Sequence, residues 1–304
     1  MLSLSLLAEI TYAATVDLQQ LTFGFYREDW PVIHKDTVLW LDEGVVRGYD
    51  FKYEKYFNLF EGVQPLSDLY GLVGYDSRFL VYNRLTPNKS LDVSFYDMNN
   101  NIEYFVTDEP GSQSAIDYDD NGTLLYIDGG ACGKLYVFNI INGKNKLITN
   151  NACYGKISDN TVVFEYAGKV YGYNLNKNVE YFIANGNSPD VYKQNVVWLY
   201  ANGGTSYIML KDLHTGEENI LLETSIYDLY YPSLSRDYIV YGKNTAPDIS
   251  GIEGIDLKSS SVFEIQVPGS QQNSVIVPIL EENIAAWMSW RTGSGDIYAS
   301  EINR

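Results

Sequence analysis

The chain has 304 residues, of which 45% are hydrophobic, so it is long enough for one large all-β domain with a full core. Its 39 acidic residues outnumber its 21 basic residues, and the formal net charge of −18 excludes the basic patches that nucleic acids require. No stretch approaches the roughly 18 apolar residues of a membrane span. The sequence therefore predicts neither a nucleic-acid partner nor a membrane span.

The first segment, residues 1–15, is apolar and ends near a pair of alanines, as a secretory signal does. It lacks a basic start, and Glu9 interrupts the apolar part. We interpret it either as a signal-peptide remnant or as an apolar N-terminal arm. Both interpretations predict an extracellular, cell-surface or periplasmic location. As an arm, residues 2–15 would support self-association by pairing with a strand of a second copy.

From residue 16 onward the sequence repeats a unit of nearly constant length. In each unit an aromatic residue follows an apolar pair, and the intervals between these aromatic residues are 42, 44, 38, 34, 43 and 46. Four short runs rich in β-branched and aromatic residues make up each unit, separated by Asn, Asp and Gly turns, which predicts four antiparallel strands. The seven aromatic residues are Trp40, Tyr82, Tyr126, Phe164, Trp198, Tyr241 and Trp287.

Seven such units predict an all-β fold, a seven-bladed β-propeller over residues 16–304. The last unit ends after its third strand, and residues 16–22 (VDLQQLT) supply a strand that fits the gap. An N-terminal strand that completes the last blade would close the ring and remove two sheet edges. A β-sandwich also has short strands at regular spacing, but it would not require the same four-part order in every unit.

Three stretches resemble the propeller repeats of TolB-like proteins, namely KLYVFNIINGKNKLIT, AIDYDDNGTLLYID and IMLKDLHTGEENILL. The repeats of that family pair an extended strand with a fourth strand that ends in Leu-Thr. The turn from Asp119 to Gly122 stands where the family usually has Ser-Pro-Asp-Gly. The resemblance covers residues 16–304 and implies the propeller fold, but it implies little about function.

In a blade with this strand order, the loops after the second strand and after the fourth strand lie on one face of the disc. These loops predict a face that binds a protein or a glycan through exposed rings. The alternative is that the rings pack between the blades. The candidate binding residues are Trp30, Tyr70, Tyr200, Tyr230, Tyr231, Trp290 and Arg291.

The segment DYDDNGTLLYID places oxygen-bearing side chains as a calcium loop does, with Asp117, Asp119, Asn121 and Asp128 as ligands and Gly122 at the turn. The twelfth position lacks the usual Glu, and Asn-Gly also makes a tight hairpin. Ca²⁺ is therefore a candidate metal, with a hairpin free of metal as the alternative. No other cofactor is expected.

Cys132 and Cys153 are predicted to lie on loops of the same face of the disc. A disulfide between them is expected, in keeping with an exported protein. The alternative is a pair of reduced, buried thiols.

Recognisable catalytic patterns are missing from the sequence. It has no G-x-S-x-G nucleophile elbow and no sialidase-type Asp box, and its two histidines cannot supply the His-rich metal site of pectin-degrading lyases with related propellers. The sequence therefore predicts a non-catalytic, secreted or surface-attached scaffold that binds a protein or a glycan. Two alternatives stay open: a structural subunit of an extracellular filament or surface array, and a polysaccharide-active enzyme with a carboxylate pair.

Overall fold

The computed structural model describes residues 14–22, 28–60, 66, 68–225, 228–246, 249–265, 277–289 and 295–303. These residues form 28 β-strands in seven four-stranded antiparallel sheets. The described part of the chain contains no helix of the length and apolarity needed to cross a membrane.

Six blades consist of four consecutive strands each, and the seventh consists of three strands and the N-terminal strand. The N-terminal strand is β1 (Thr15–Gln20). Blade 1 contains β2 (Glu28–His34), β3 (Thr37–Asp42), β4 (Val45–Asp50) and β5 (Lys55–Asn58). Blade 2 contains β6 (Leu69–Tyr75), β7 (Phe79–Leu85), β8 (Leu91–Asp97) and β9 (Ile102–Phe105). Blade 3 contains β10 (Gln113–Asp119), β11 (Thr123–Asp128), β12 (Gly133–Asn139) and β13 (Lys144–Ala152). Blade 4 contains β14 (Tyr154–Ser158), β15 (Thr161–Tyr166), β16 (Lys169–Asn174) and β17 (Val179–Asn185). Blade 5 contains β18 (Asn187–Tyr192), β19 (Asn195–Asn202), β20 (Thr205–Asp212) and β21 (Glu218–Thr224). Blade 6 contains β22 (Asp228–Leu234), β23 (Tyr238–Ala246), β24 (Ile249–Asp256) and β25 (Ser261–Ile265). Blade 7 contains β26 (Ile279–Glu281), β27 (Ile284–Ser289) and β28 (Asp296–Asn303).

The seventh blade takes its fourth strand from the beginning of the propeller. β1 pairs antiparallel with β28, from Thr15 opposite Asn303 to Gln20 opposite Tyr298. The seven-bladed fold and its closure by the N-terminal strand are thereby confirmed, with β1 beginning one residue earlier than predicted. Residues 1–13, most of the predicted signal or arm, lie outside the described residues.

The first strand of each blade is the innermost one, and these strands pack against one another around the axis. Three of them contain a proline, and at Pro31, Pro189 and Pro232 the pairing with the second strand shifts register. Proline cannot donate to a strand ladder, so it is tolerated on an edge strand or at a bulge. The proline that recurs in the sequence therefore marks the inner edge of a blade.

The aromatic residue that recurs in the second strand packs between blades. All seven of these residues are at most 4% exposed. Each packs against the preceding blade: Trp198 of blade 5 shares a cluster with Val163 and Val170 of blade 4, and Trp40 of blade 1 shares one with Ala286 of blade 7. The unit is repeated because a single blade can bury its faces only against its neighbours.

Candidate functional site

A channel of about 570 Å³ lies on the axis, lined by the first strands and by the hairpins that follow them. This volume is in the range of small-ligand sites. We call the side of the disc formed by these hairpins the hairpin face. The opposite side, formed by the loops after the second and fourth strands, is the loop face.

Three charged residues, Asp117, Lys156 and Asp190, lie in the channel wall and are called the wall trio. Lys156 Nζ is 3.1 Å from Asp117 Oδ1. The other oxygen of Asp117 accepts a hydrogen bond from the Ile157 amide at 2.7 Å, and Asp190 Oδ2 accepts one from the Leu234 amide at 2.8 Å. Each carboxylate therefore connects its own blade to the next one.

The wall trio combines one cation with two acids in a partly enclosed space. Burial acts to lower the pKa of Lys156, but the carboxylates of Asp117 and Asp190 outweigh it and the pKa is raised. Burial raises the pKa of Asp190, against the opposing effect of Lys156. Lys156 consequently stays protonated near neutral pH.

A second charged group lies where the channel opens on the hairpin face. His34 ends β2, Glu281 ends β26 and Asp120 follows β10, so three blades contribute. His34 Nδ1 is 3.2 Å from Asp120 Oδ1 and 3.9 Å from Glu281 Oε1. The Lys35 amide donates to the same Glu281 oxygen at 2.8 Å. We call His34, Asp120 and Glu281 the mouth cluster.

The environment of the mouth cluster shifts all three ionisable groups. Burial acts to lower the pKa of His34, but Asp120 and Glu281 outweigh it and the pKa is raised. The proximity of His34 lowers the pKa of Asp120. Burial raises the pKa of Glu281 to about 7. The cluster is therefore an imidazole held between two acids of different environment.

The structure does not bring the four predicted calcium ligands together. Asp119 Oδ1 accepts the amides of Asn121 at 3.0 Å and Thr123 at 2.9 Å, so it closes the hairpin after β10. Asp117 belongs to the wall trio, and Asp128 lies at the far end of β11. Five residues of extended strand separate Asp128 from the hairpin by about 17 Å. In this structure the segment forms a hairpin, and Ca²⁺ binding stays a prediction from the sequence.

The aromatic candidates whose side chains are described are Tyr70, Tyr200, Tyr230 and Tyr231. Tyr70 and Tyr231 are exposed, at 42% and 38%. The Tyr230 ring makes an edge contact with Tyr231, with centroids 6.1 Å apart, and Tyr200 packs beside Tyr207. Tyr230 and Tyr231 are therefore two candidates that the structure brings together. Trp290, Arg291 and the side chain of Trp30 lie outside the described residues.

The mouth cluster was not predicted from the sequence, and it lies on the face opposite to the predicted binding face. Within the described ranges, it is the one group of three His, Cys, Asp or Glu residues whose ligand atoms lie within 4.8 Å of one another. The signal was visible in the polar turns KD, DDNG and EEN after the first strands. Such turns form hairpins without any ligand, so the residue types alone did not reveal a site.

The predicted disulfide between Cys132 and Cys153 is present. Cys132 precedes β12 and Cys153 follows β13, and these two strands pair at Gly133 and Ala152. The bond therefore connects the loop-face ends of two neighbouring strands, as the loop placement in the sequence predicts.

No family model matches the sequence, and no curated protein matches it. Solved structures nevertheless share its fold. The β-propeller domain of the Trilobed protease from Pyrococcus furiosus aligns with a TM-score of 0.67 at 9% identity, over 92% of this chain and 98% of that chain. An oligogalacturonate lyase in complex with manganese aligns with a TM-score of 0.60 at 14% identity, over 88% and 86%. A putative TolB from Agrobacterium tumefaciens aligns with a TM-score of 0.50 at 11% identity, over 96% and 98%. The protein is a seven-bladed β-propeller with a fold similar to that of TolB-like proteins, as the resemblance of its repeats implied.

The prediction that the protein is not an enzyme is wrong. It was based on missing catalytic motifs, yet an oligogalacturonate lyase has the same fold over 86% of its length. A propeller of this kind can therefore support catalysis, and the missing motifs do not exclude it. At 14% identity the likeness shows the fold and does not assign the activity to this chain.

Proposed function

We propose that the protein is a ligand-binding propeller that takes a short glycan in its central channel through the opening on the hairpin face. The observation that supports this proposal is the convergence of the wall trio in a channel of about 570 Å³. Carboxylates and an ammonium group bind sugar hydroxyls by charge-assisted hydrogen bonds. The rings of Tyr75, Tyr118 and Tyr192 also line the channel and offer apolar surface to sugar rings.

The experiment is a glycan array with the purified protein, followed by calorimetric titration of each positive glycan. Tyr192→Ala removes a ring that lines the channel, and Tyr70→Ala removes an exposed ring elsewhere on the protein as a matched control. We expect Tyr192→Ala to weaken binding about ten-fold or more, as for loss of a stacked ring, and Tyr70→Ala to leave it unchanged. The reverse result would assign the ligand to the loop face, the site predicted from the sequence, and would disprove the channel proposal.

A second candidate function is a polysaccharide-active enzyme that acts on an acidic sugar. It is favoured by Lys156, a protonated amine in the channel that can neutralise a sugar carboxylate, and by the oligogalacturonate lyase that shares the fold. Incubation with neutral and acidic polysaccharides, read by the release of new chain ends, tests it. Turnover that is lost in Lys156→Gln and kept in Tyr70→Ala supports the enzyme, and no turnover on any substrate disproves it.

We also propose a location outside the cytoplasm, extracellular, cell-surface or periplasmic, because disulfides persist in oxidising compartments. The disulfide of Cys132 and Cys153 supports this location. Self-association through residues 2–15, in a filament or surface array, stays a prediction from the sequence.

A further inference from the structure

The mouth cluster has the composition and spacing of a metal site. One imidazole and two carboxylates from blades 1, 3 and 7 meet at the opening of the channel, with their ligand atoms within 4.8 Å of one another. The backbone already fixes one ligand, since the Lys35 amide donates to Glu281 Oε1 at 2.8 Å. A small rearrangement of Asp120, which is 64% exposed, would bring all three atoms onto one ion.

His34 provides an independent observation that points to a ligand. Its side chain is 9% exposed, and neither ring nitrogen has a hydrogen-bond partner in the described part of the chain. The contact of Nδ1 with Asp120 at 3.2 Å is an ion pair only when the imidazole is protonated. A buried polar atom without a partner is costly and calls for an explanation. Nδ1 is directed at both carboxylates, so an ion bound between the three groups would give Nδ1 a partner.

The ligand types indicate which ion fits. Calcium and magnesium prefer oxygen ligands throughout. An imidazole nitrogen together with carboxylate oxygens is suited to divalent transition metals, and at a given site Zn²⁺ binds more tightly than Mn²⁺. Three protein ligands would leave at least one coordination position for water or a bound molecule.

We propose that His34, Asp120 and Glu281 form a binding site for a divalent transition cation, Zn²⁺ or Mn²⁺, at the mouth of the channel. The ion would connect blades 1, 3 and 7, which are far apart in the sequence. A ligand that binds only the folded protein stabilises it, so the thermal midpoint reports binding without any assay of activity. This site uses other residues than the wall trio of the proposed glycan site, although both line the same channel, and no glycan is needed to test it.

The experiment uses the full-length protein, treated with a chelator and dialysed, and titrated calorimetrically with Zn²⁺, Mn²⁺ and Ca²⁺. Glu281→Gln and Asp120→Asn each remove one ligand charge, and His34→Gln removes the imidazole. His214→Gln is a matched control, because His214 is the other histidine of the chain and is exposed. Asp159→Asn is a second control, in the corresponding hairpin of blade 4.

We expect one equivalent of Zn²⁺ or Mn²⁺ to bind the native protein and raise its thermal midpoint, with Ca²⁺ binding far more weakly. Each cluster variant should lose about 100-fold in affinity, and both controls should match the native protein. Glu281→Gln keeps the side-chain shape and removes the ligand carboxylate, so it tests the site even where His34→Gln fails to fold. The proposal is overturned by the absence of a binding isotherm, or by equal affinity in Glu281→Gln and the native protein.

Discussion

The side chain of Lys156 supplies the positive charge that compensates the two carboxylates of the wall trio. Its amine lies 3.1 Å from Asp117, and Asp190 is also close enough to affect its pKa. The side chain of Lys156 is 22% exposed and that of Asp117 is 15% exposed, so both are mostly shielded from solvent. Charges with so little access to water must be compensated by one another. Removing one of them leaves an uncompensated charge, which destabilises the folded state.

Replacing Lys156 with Met keeps most of the aliphatic stem and leaves Asp117 and Asp190 without their cation. We expect a loss of about 2–4 kcal/mol in the free energy of unfolding at pH 8. Burial already raises the pKa of Asp190, and loss of the amine raises it further. A carboxyl with a raised pKa favours the folded state below its ordinary pKa of about 4, and that contribution is lost as the pH rises through the raised value. The difference in the free energy of unfolding between the native protein and the variant, the stability deficit, should therefore shrink from pH 8 to pH 4.

Urea unfolding of both proteins at pH 8, 6 and 4 measures this deficit. Lys169→Met, at an exposed position on β16, is the control and should change stability by less than about 0.5 kcal/mol. A deficit of the same size at every pH would show that Lys156 contributes through packing and not through its charge.

The features of the fold that the sequence predicts well are those of individual strands. The recurrent aromatic residue and the recurrent proline each mark a local position in the blade. The aromatic residue fills the space between two sheets. The proline has no N–H to donate, so it occurs on the strand at the edge of the sheet. Both are visible as a repeat of about 40 residues, roughly the length of one blade.

Trp198 of β19 is the sharpest test of packing between blades, since its ring lies between blade 5 and the valines of blade 4 and is 1% exposed. Trp198→Ala should lower the free energy of unfolding by about 4 kcal/mol, from lost burial and the cavity that remains. Tyr53→Ala removes a ring that is 71% exposed and should change it by less than about 0.5 kcal/mol. Chemical denaturation of the native protein and both variants, followed by far-ultraviolet circular dichroism, measures the two changes in the free energy of unfolding. Equal effects would show that the second-strand aromatic residue does not hold the blades together.

The candidate site could not be predicted in the same way. His34, Asp120 and Glu281 come from blades 1, 3 and 7, and no local pattern relates their positions. They meet only because seven first strands converge on one axis, and that convergence depends on the number and tilt of the blades. The sequence predicted binding on the loop face because exposed rings are a local signal, whereas the mouth cluster results from the closed ring.

Closure of the ring is a property of the whole molecule. The propeller of the Trilobed protease that shares this fold has an open velcro topology. Here β1 and β28 form a ladder of six paired residues between the two ends of the propeller. Val16 and Leu18 of β1 also pack on the core cluster between blades 6 and 7. The N-terminal strand therefore contributes both hydrogen bonds and apolar contacts to the last blade.

Deleting residues 1–22 should open the ring, and deleting residues 1–13 should not, because β1 begins at Thr15. The longer deletion leaves the outer edge of β28 unpaired and removes the apolar contacts of Val16 and Leu18, so we expect stability to fall by about 5 kcal/mol and the exposed edge to form dimers or aggregates. Light scattering and thermal unfolding of the two truncations measure both effects. If the shorter deletion alone changes the oligomeric state, the arm predicted at residues 2–15 mediates self-association. If the longer deletion stays monomeric and as stable as the shorter one, closure by β1 is not what holds blade 7 in the ring.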